Sequence, residues 1–147
     1  MRRLLLLAAV ALCSVGQSQP TSGGPAGLQL STAQMLPLLR GDVDLIGDQF
    51  GSTEFQRGIL GLAQARKIKV RVLTSVNTAP NMKPLRAVGA QIFTVNARFT
   101  NAMVVVRGAR PLVIFPGKAT HLVIQNPVQV TQIGAVVEGY WRVGKPY

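Results

Sequence analysis

The chain has 147 residues, with 16 Lys plus Arg against 5 Asp plus Glu and a formal net charge of +11. That length suits one domain, and 48% hydrophobic against 14% charged residues argues for a buried core rather than disorder. One cysteine and one histidine exclude an intramolecular disulfide framework, an ordinary zinc site and two-histidine chemistry within one chain. No residue pattern calls for a cofactor, whereas the excess positive charge suits nucleic acid, anionic phospholipid or another phosphate-bearing partner.

In chain order, Arg2 and Arg3 precede an apolar run of 9 residues, Leu4 to Leu12, the pattern of an export signal. The run is far shorter than the roughly 20 residues that cross a bilayer as a helix. Ser14 and Gly16 place cleavage after Gly16, with Ser18 as the alternative, and the expected location is secreted or periplasmic. Cys13 raises a lipid-anchored alternative, against which Leu12 is bulky for a lipobox. After cleavage, 14 basic and 5 acidic residues leave +9. Residues 17–27, QSQPTSGGPAG, read as a flexible tether, and residues 28–147 as the folded domain. No later apolar stretch is long enough to be an integral membrane segment.

Leu28 to Leu39 is expected to hold a short helix interrupted near Pro37, and Val43 to Ile46 a short strand. Thr53 is placed to cap a helix, with Gln56 in capping-box position and Glu54 in the first turn. Phe55, Ile59, Leu62 and Ala63 share one face of that helix, and Arg66 and Lys67 follow at its negative end. KIKVRVLT (67–74) alternates as a strand, with Ile68, Val70 and Val72 on one side. Pro80 to Val88 predicts a second short helix closed by Gly89. Residues 90–95, 102–106, 111–115 and 122–124 predict compact strands. Asn126 and Pro127 start a last helix in which Ile133, Val137, Tyr140 and Trp141 form a stripe, though the Val-rich stretch 128–137 also reads as strand. The fold class is α/β, a mixed β-sheet flanked by helices in one domain.

This order of elements resembles the phospholipase D superfamily, and within it the small secreted single-domain endonucleases. FGSTEFQRGILGLAQARKIKVRVLTS (50–75) is similar to the family's strand-end, helix and basic-then-alternating strand. KPLRAVGAQI (83–92) resembles the helix–Gly–strand unit that follows, and VVEGYWRVGKPY (136–147) the closing helix with its aromatic pair. The resemblance implies a phospholipase D-like fold, a homodimer, and phosphoryl chemistry by an H-x-K-x4-D motif followed by G-S-x-N. In that chemistry a histidine attacks phosphorus, a second protonates the leaving oxygen, and lysine and asparagine hold the phosphoryl oxygens.

Laid on FTNAMVVVRG (99–108), the motif's histidine, lysine and aspartate positions are Thr100, Ala102 and Arg107. PGKAT (116–120) follows the next strand in place of G-S-x-N. Both halves of the catalytic apparatus are therefore replaced, and no catalytic residue is assigned. A threonine hydroxyl is a weak nucleophile without a base, and an alanine holds no phosphate oxygen. Arg107 does match phosphate geometry, and with Arg98, Arg110 and Lys118 forms a candidate phosphate-binding set; the alternative is that these are solvated turn residues. Lys67, Lys69 and Arg71, at period-2 spacing, are the candidate nucleic-acid contacts, or else a polar strand entrance with Arg71 folded over the apolar layer. His121 is the one histidine outside the motif and the one imidazole a modified mechanism could use; a structural role is the competing reading. Asp42, Asp44 and Asp48 alternate, but a strand brings only Asp42 and Asp44 to one side, too few for an oxygen-ligand metal site. Tyr140 and Trp141 pack the last helix or lie in an interface. The expected function is non-catalytic binding of phosphate-rich polymer, lipid head group or protein partner; the alternative is a phosphodiesterase or endonuclease with a modified mechanism.

Overall fold

Ile68, Val70 and Val72 alternate with Lys69, Arg71 and Leu73, so the strand they form must bury at least its aliphatic row against other elements. The computed structural model describes residues 27–147; the expected export signal and all but the last residue of the expected tether lie outside the described residues. Its frame is one sheet of 8 strands: β1 (Leu28–Ser31), β2 (Gly41–Ile46), β3 (Ile68–Ser75), β4 (Gln91–Val95), β5 (Met103–Arg107), β6 (Leu112–Phe115), β7 (Thr120–Ile124) and β8 (Lys145–Pro146). The spatial order is β1-β7-β6-β5-β2-β3-β4-β8. β2, β3 and β4 run parallel, joined through helical crossovers, and β5, β6 and β7 form an antiparallel meander beside β2. Residues 99–108 thus lead into and form β5, an interior strand between β2 and β6.

Among the described residues four α-helices flank the sheet: α1 (Thr32–Met35), α2 (Thr53–Gln64), α3 (Lys83–Ala87) and α4 (Pro127–Val143). Phe55, Ile59 and Ala63 of α2 and Met35 of α1 are buried in one cluster with Val43, Leu45, Val70, Val72, Val104 and Ile114. Burying a side chain such as Phe55 completely contributes about 1.5–3 kcal/mol. On the opposite face α4 places Val130, Ile133 and Val137 over Ile46, Leu73, Val105, Val113 and Ile124. Tyr140 and Trp141 continue that stripe and pack on this second cluster. Among the described residues no helix is long and apolar enough to cross a membrane.

Three local expectations are corrected. Residues 28–31 form β1, paired antiparallel with β7, and the helical turn starts only at Thr32. Ser31 caps it through a complete capping box with Gln34, and a 3-10 turn at Leu36–Leu38 takes Pro37 in its first turn, where no amide donor is needed. Ser52, not Thr53, caps α2: its hydroxyl accepts the Phe55 amide at 3.2 Å. Pro80 sits in a 3-10 turn, Ala79–Met82, and the α-helical part is Lys83–Ala87. The expected last helix forms, and the strand alternative for the Val-rich stretch 128–137 is set aside: Asn126 accepts from the Val128 and Gln129 amides and Pro127 fits the first turn.

Candidate functional site

The parallel strands β2 and β3 end where the chain leading into β5 begins, and Asp48 ties these segments together. Its Oδ1 accepts from the Thr74 hydroxyl at 2.9 Å and the Ser75 amide at 2.9 Å, and its Oδ2 from the Phe99 amide at 3.1 Å. Burial pushes the Asp48 pKa up, but the bonds from Ser75, Phe99 and Thr74 outweigh it, so the carboxyl is held below its ordinary value. Asp48 is thus a fixed acceptor, which suits a structural tie and disqualifies it as a proton-accepting base.

That tie positions the segment carrying Thr100 and Ala102. Thr100 is exposed, and among the described residues no hydrogen bond joins its hydroxyl to a base. Ala102 lies against Gly47, whose φ is +137°; a Cβ there would stand 2.7 Å from the Ala102 Cα. The backbones close at this point, where a phosphate-holding side chain is expected from the resemblance. Beside it a cleft of about 450 Å³ opens between α2 and residues 79–85, with Leu45, Phe50 and Met82 in its floor and Gln56, Arg57 and Asn81 at its rim.

His121 is fully buried. Its Nε2 lies 2.8 Å from the Thr32 hydroxyl, the Gly117 amide donates to its Nδ1 at 3.2 Å, and its ring stacks obliquely on Phe55 at 4.8 Å. A backbone amide can only donate, so Nδ1 is the unprotonated nitrogen and Nε2–H donates to Thr32. Burial lowers the His121 pKa, with Glu54 pulling weakly the other way. Both nitrogens are engaged in joining α1, the β6–β7 turn and the α2 face.

The most concentrated charge lies on the α4 side of the sheet. Asp44, whose side chain is 2% exposed, accepts two bonds from Arg71, Nε to Oδ1 at 2.7 Å and Nη2 to Oδ2 at 2.8 Å. Arg107 Nε reaches Oδ2 at 3.0 Å. The Arg71 guanidinium also lies 3.9 Å over the Trp141 ring. Its pKa is raised, first by the Asp44 bond, against burial, with further pull from the charges of Asp44, Glu138 and Asp42. A cleft of about 360 Å³ borders the group, between β5 and α4. Two arginines thus join β3 and β5 to β2 through one carboxylate, and Arg71 alone carries the link on to Trp141 of α4.

The candidate residues therefore separate. Asp42 and Asp44 share a face as the alternation implies, but Asp44 is occupied by two guanidiniums; among the described residues no three potential metal ligands cluster. Lys69 and Arg71 lie on the same face of β3, whereas Lys67 precedes the strand and Arg71 is held inward. Arg107 ends β5 and Arg110 lies in the β5–β6 turn, at the end where β2 and β3 begin. Arg98, in the β4–β5 loop, and Lys118, in the β6–β7 turn, lie at the opposite end, beside Thr100. The four phosphate candidates do not form one pocket. Arg40 and Arg66, which go unremarked as binding candidates in the sequence, sit directly before β2 and beside the start of β3. Their position just ahead of two parallel strands was the available signal.

No family model matches the chain, and no curated protein matches it. Solved structures do. The chain is similar to TrmBL2, an archaeal chromatin protein with a novel mode of DNA binding, at a TM-score of 0.60 and 15% identity, over 99% of this chain and 64% of that one. The chain therefore spans somewhat under two thirds of TrmBL2. It is also similar to Nuc from Salmonella typhimurium, a phospholipase D family member, at a TM-score of 0.57 and 13% identity, over 79% of this chain and 88% of that one. At these identities the likeness is one of fold: an α/β domain with a phospholipase D-like mixed sheet.

Proposed function

We infer that this is an exported, secreted or periplasmic, phospholipase D-fold protein that has lost the family's catalytic motif and binds a phosphate-rich polymer, nucleic acid foremost, without cutting it. The observation that carries the reading is the charge balance at the surface. Of 14 basic residues in the domain, only Arg71 and Arg107 are ion-paired among the described residues. Of the 5 acids, Asp44 is buried beneath them and Asp48 is tied up by backbone and hydroxyl donors. The remaining cations meet exposed acids only at Asp42, Glu54 and Glu138. Such a field draws polyanions and releases their counterions on contact. Catalysis is disfavoured by Thr100 and Ala102 at the motif positions and by the engaged nitrogens of His121. The DNA binding described for TrmBL2 and the phospholipase D kinship of Nuc support the choice of ligand class.

The test pairs binding with turnover on the purified protein. A labelled DNA duplex should bind with an affinity that falls steeply as salt rises, and a chromogenic phosphodiester should show no hydrolysis above the blank. Hydrolysis that copurifies with the protein and disappears in Thr100→Ala or His121→Ala would overturn the non-catalytic reading. Binding insensitive to salt would overturn the phosphate reading.

A further inference from the structure

We propose that the nucleic-acid backbone docks on the edge of the sheet where β2, β3 and β4 begin, opposite the end that carries Thr100 and Ala102. This rests on the phosphate-binding reading and assigns its location. Because the three strands are parallel, their first residues lie together, and β5, antiparallel to β2, ends there too. Across the sheet this edge carries Arg110 in the β5–β6 turn, Arg40 before β2, Lys67 and Lys69 at β3, Arg66 after α2 and Arg86 at the end of α3. All six are exposed, and none is in an ion pair among the described residues. Strands spaced about 4.8 Å apart, with their flanking turns, spread these charges over roughly 20 Å. That length matches about six steps of a duplex strand at 3.4 Å per phosphate.

A bland account exists for part of this charge. α2 and α3 both end here, and a helix C-terminus carries about half a negative charge that cations compensate. Two such ends plus Asp42 amount to about two negative charges, against six cations. The surplus of about four is what the helix ends leave unexplained. A hollow of about 340 Å³ lies among Gly41, Lys67, Lys69 and Gly89. Gly41 and Gly89 have φ of +69° and +95°, and a Cβ at Gly89 would meet nothing within 4 Å, so the backbone there is open to close approach. Tyr147, 47% exposed, stands 5.8 Å from the Arg86 guanidinium and adds a ring at the margin.

A duplex fits this edge better than a bilayer. Membrane-surface binding combines cations with inserted apolar side chains. Of the exposed aliphatics, Val76 follows β3 and Val143 closes α4, both at the far end of the sheet; Leu28 and Val128 lie at the near end but at β1 and just after β7, set off from the basic group by β6.

The experiment measures anisotropy of a labelled 20-bp duplex across a salt series. It compares the wild type with Lys67→Gln/Lys69→Gln/Arg110→Gln and with Arg57→Gln/Arg98→Gln/Lys118→Gln, which removes equal charge from the other end. The edge triple is expected to weaken binding about tenfold or more and to flatten the slope of log K against log salt by about 2 to 3. The other triple should change the slope by less than about 1. Equal or greater loss in the second triple overturns the location while leaving phosphate binding standing. A wild type that ignores duplex even at low salt removes the reading beneath it. Binding to vesicles of phosphatidylcholine and phosphatidylglycerol, but not to duplex, overturns the choice of nucleic acid. Should the edge triple fail to fold, Lys67→Gln/Arg110→Gln reads the same slope, with a smaller expected change of about 1 to 2.

Discussion

Replacing Asp44 by Asn keeps its shape and removes its charge. Taking one partner out of a buried ion pair costs about 3–5 kcal/mol when the other is left dry. Here the carboxylate is 2% exposed, but the arginine side chains are 28% and 46% exposed and regain water once released. Asn also keeps one acceptor oxygen for Arg71. The expected loss is therefore about 2 kcal/mol. In a domain of about 120 residues this lowers the midpoint of thermal unfolding by about 8 °C. Arg71→Gln should cost a similar amount, since it removes both bonds to Asp44 and the contact with Trp141. Arg107→Gln should cost only about 0.5 kcal/mol, as for an exposed pair. Urea unfolding of the three single variants and the Asp44→Asn/Arg71→Gln double measures the coupling directly. Trp141, the chain's one tryptophan, supplies a local fluorescence signal. An Asp44→Asn variant within about 0.5 kcal/mol of wild type, or additive single costs, would show that the buried Asp44–Arg71 pair does not stabilise the domain.

Three further outcomes follow from the geometry. His121 titrates below its ordinary value when folded, so between the two values the unfolded chain binds the extra proton. Stability should then be full above about pH 6.5 and fall as pH drops from there toward the folded value, by at most about 1.4 kcal/mol per pH unit; urea midpoints from pH 7.5 to 5 test this, and His121→Gln should flatten the trend. Asp48→Asn turns an NH2 group toward one of the donors the carboxylate accepts, and should cost about 1–3 kcal/mol; because its folded pKa is lowered, the wild-type contribution is present above about pH 3.9 and lost as pH falls through the folded value. Gly47→Ala forces a side chain into a positive-φ position against the Ala102 backbone and should cost about 2–4 kcal/mol, read by the same unfolding assay.

Elements with strong periodicity were legible. The alternation in 67–74 gives β3, and the offsets of Phe55, Ile59 and Ala63 give the buried face of α2. β1 was hidden because four residues, LQLS, carry too little pattern, and their pairing with β7 is made almost a hundred positions away. The cap of α2 moved by one residue because Ser52 and Thr53 both offer a hydroxyl. The site was less legible than the fold because its partners are remote in sequence. His121 meets Thr32 across 89 positions, and Arg71 meets Asp44 across 27. The arginines and lysine grouped around residues 98–118 are neighbours along the chain, yet β5 and β6 carry them to opposite ends of the sheet. Charge counting finds the surplus; only topology says where it collects.

The outer strand β4 bears on how one edge of the sheet is closed to further pairing. β4 presents Ile92 and Val95 to the interior and would offer an unpaired row of amides and carbonyls were it not covered by Lys145–Pro146. A proline cannot extend a ladder outward, and a lysine repels a like neighbour. A two-residue cover thus works as a stopper against strand-by-strand growth at this edge, and a variant lacking residues 145–147 should accrete into fibres or aggregates faster than the full chain.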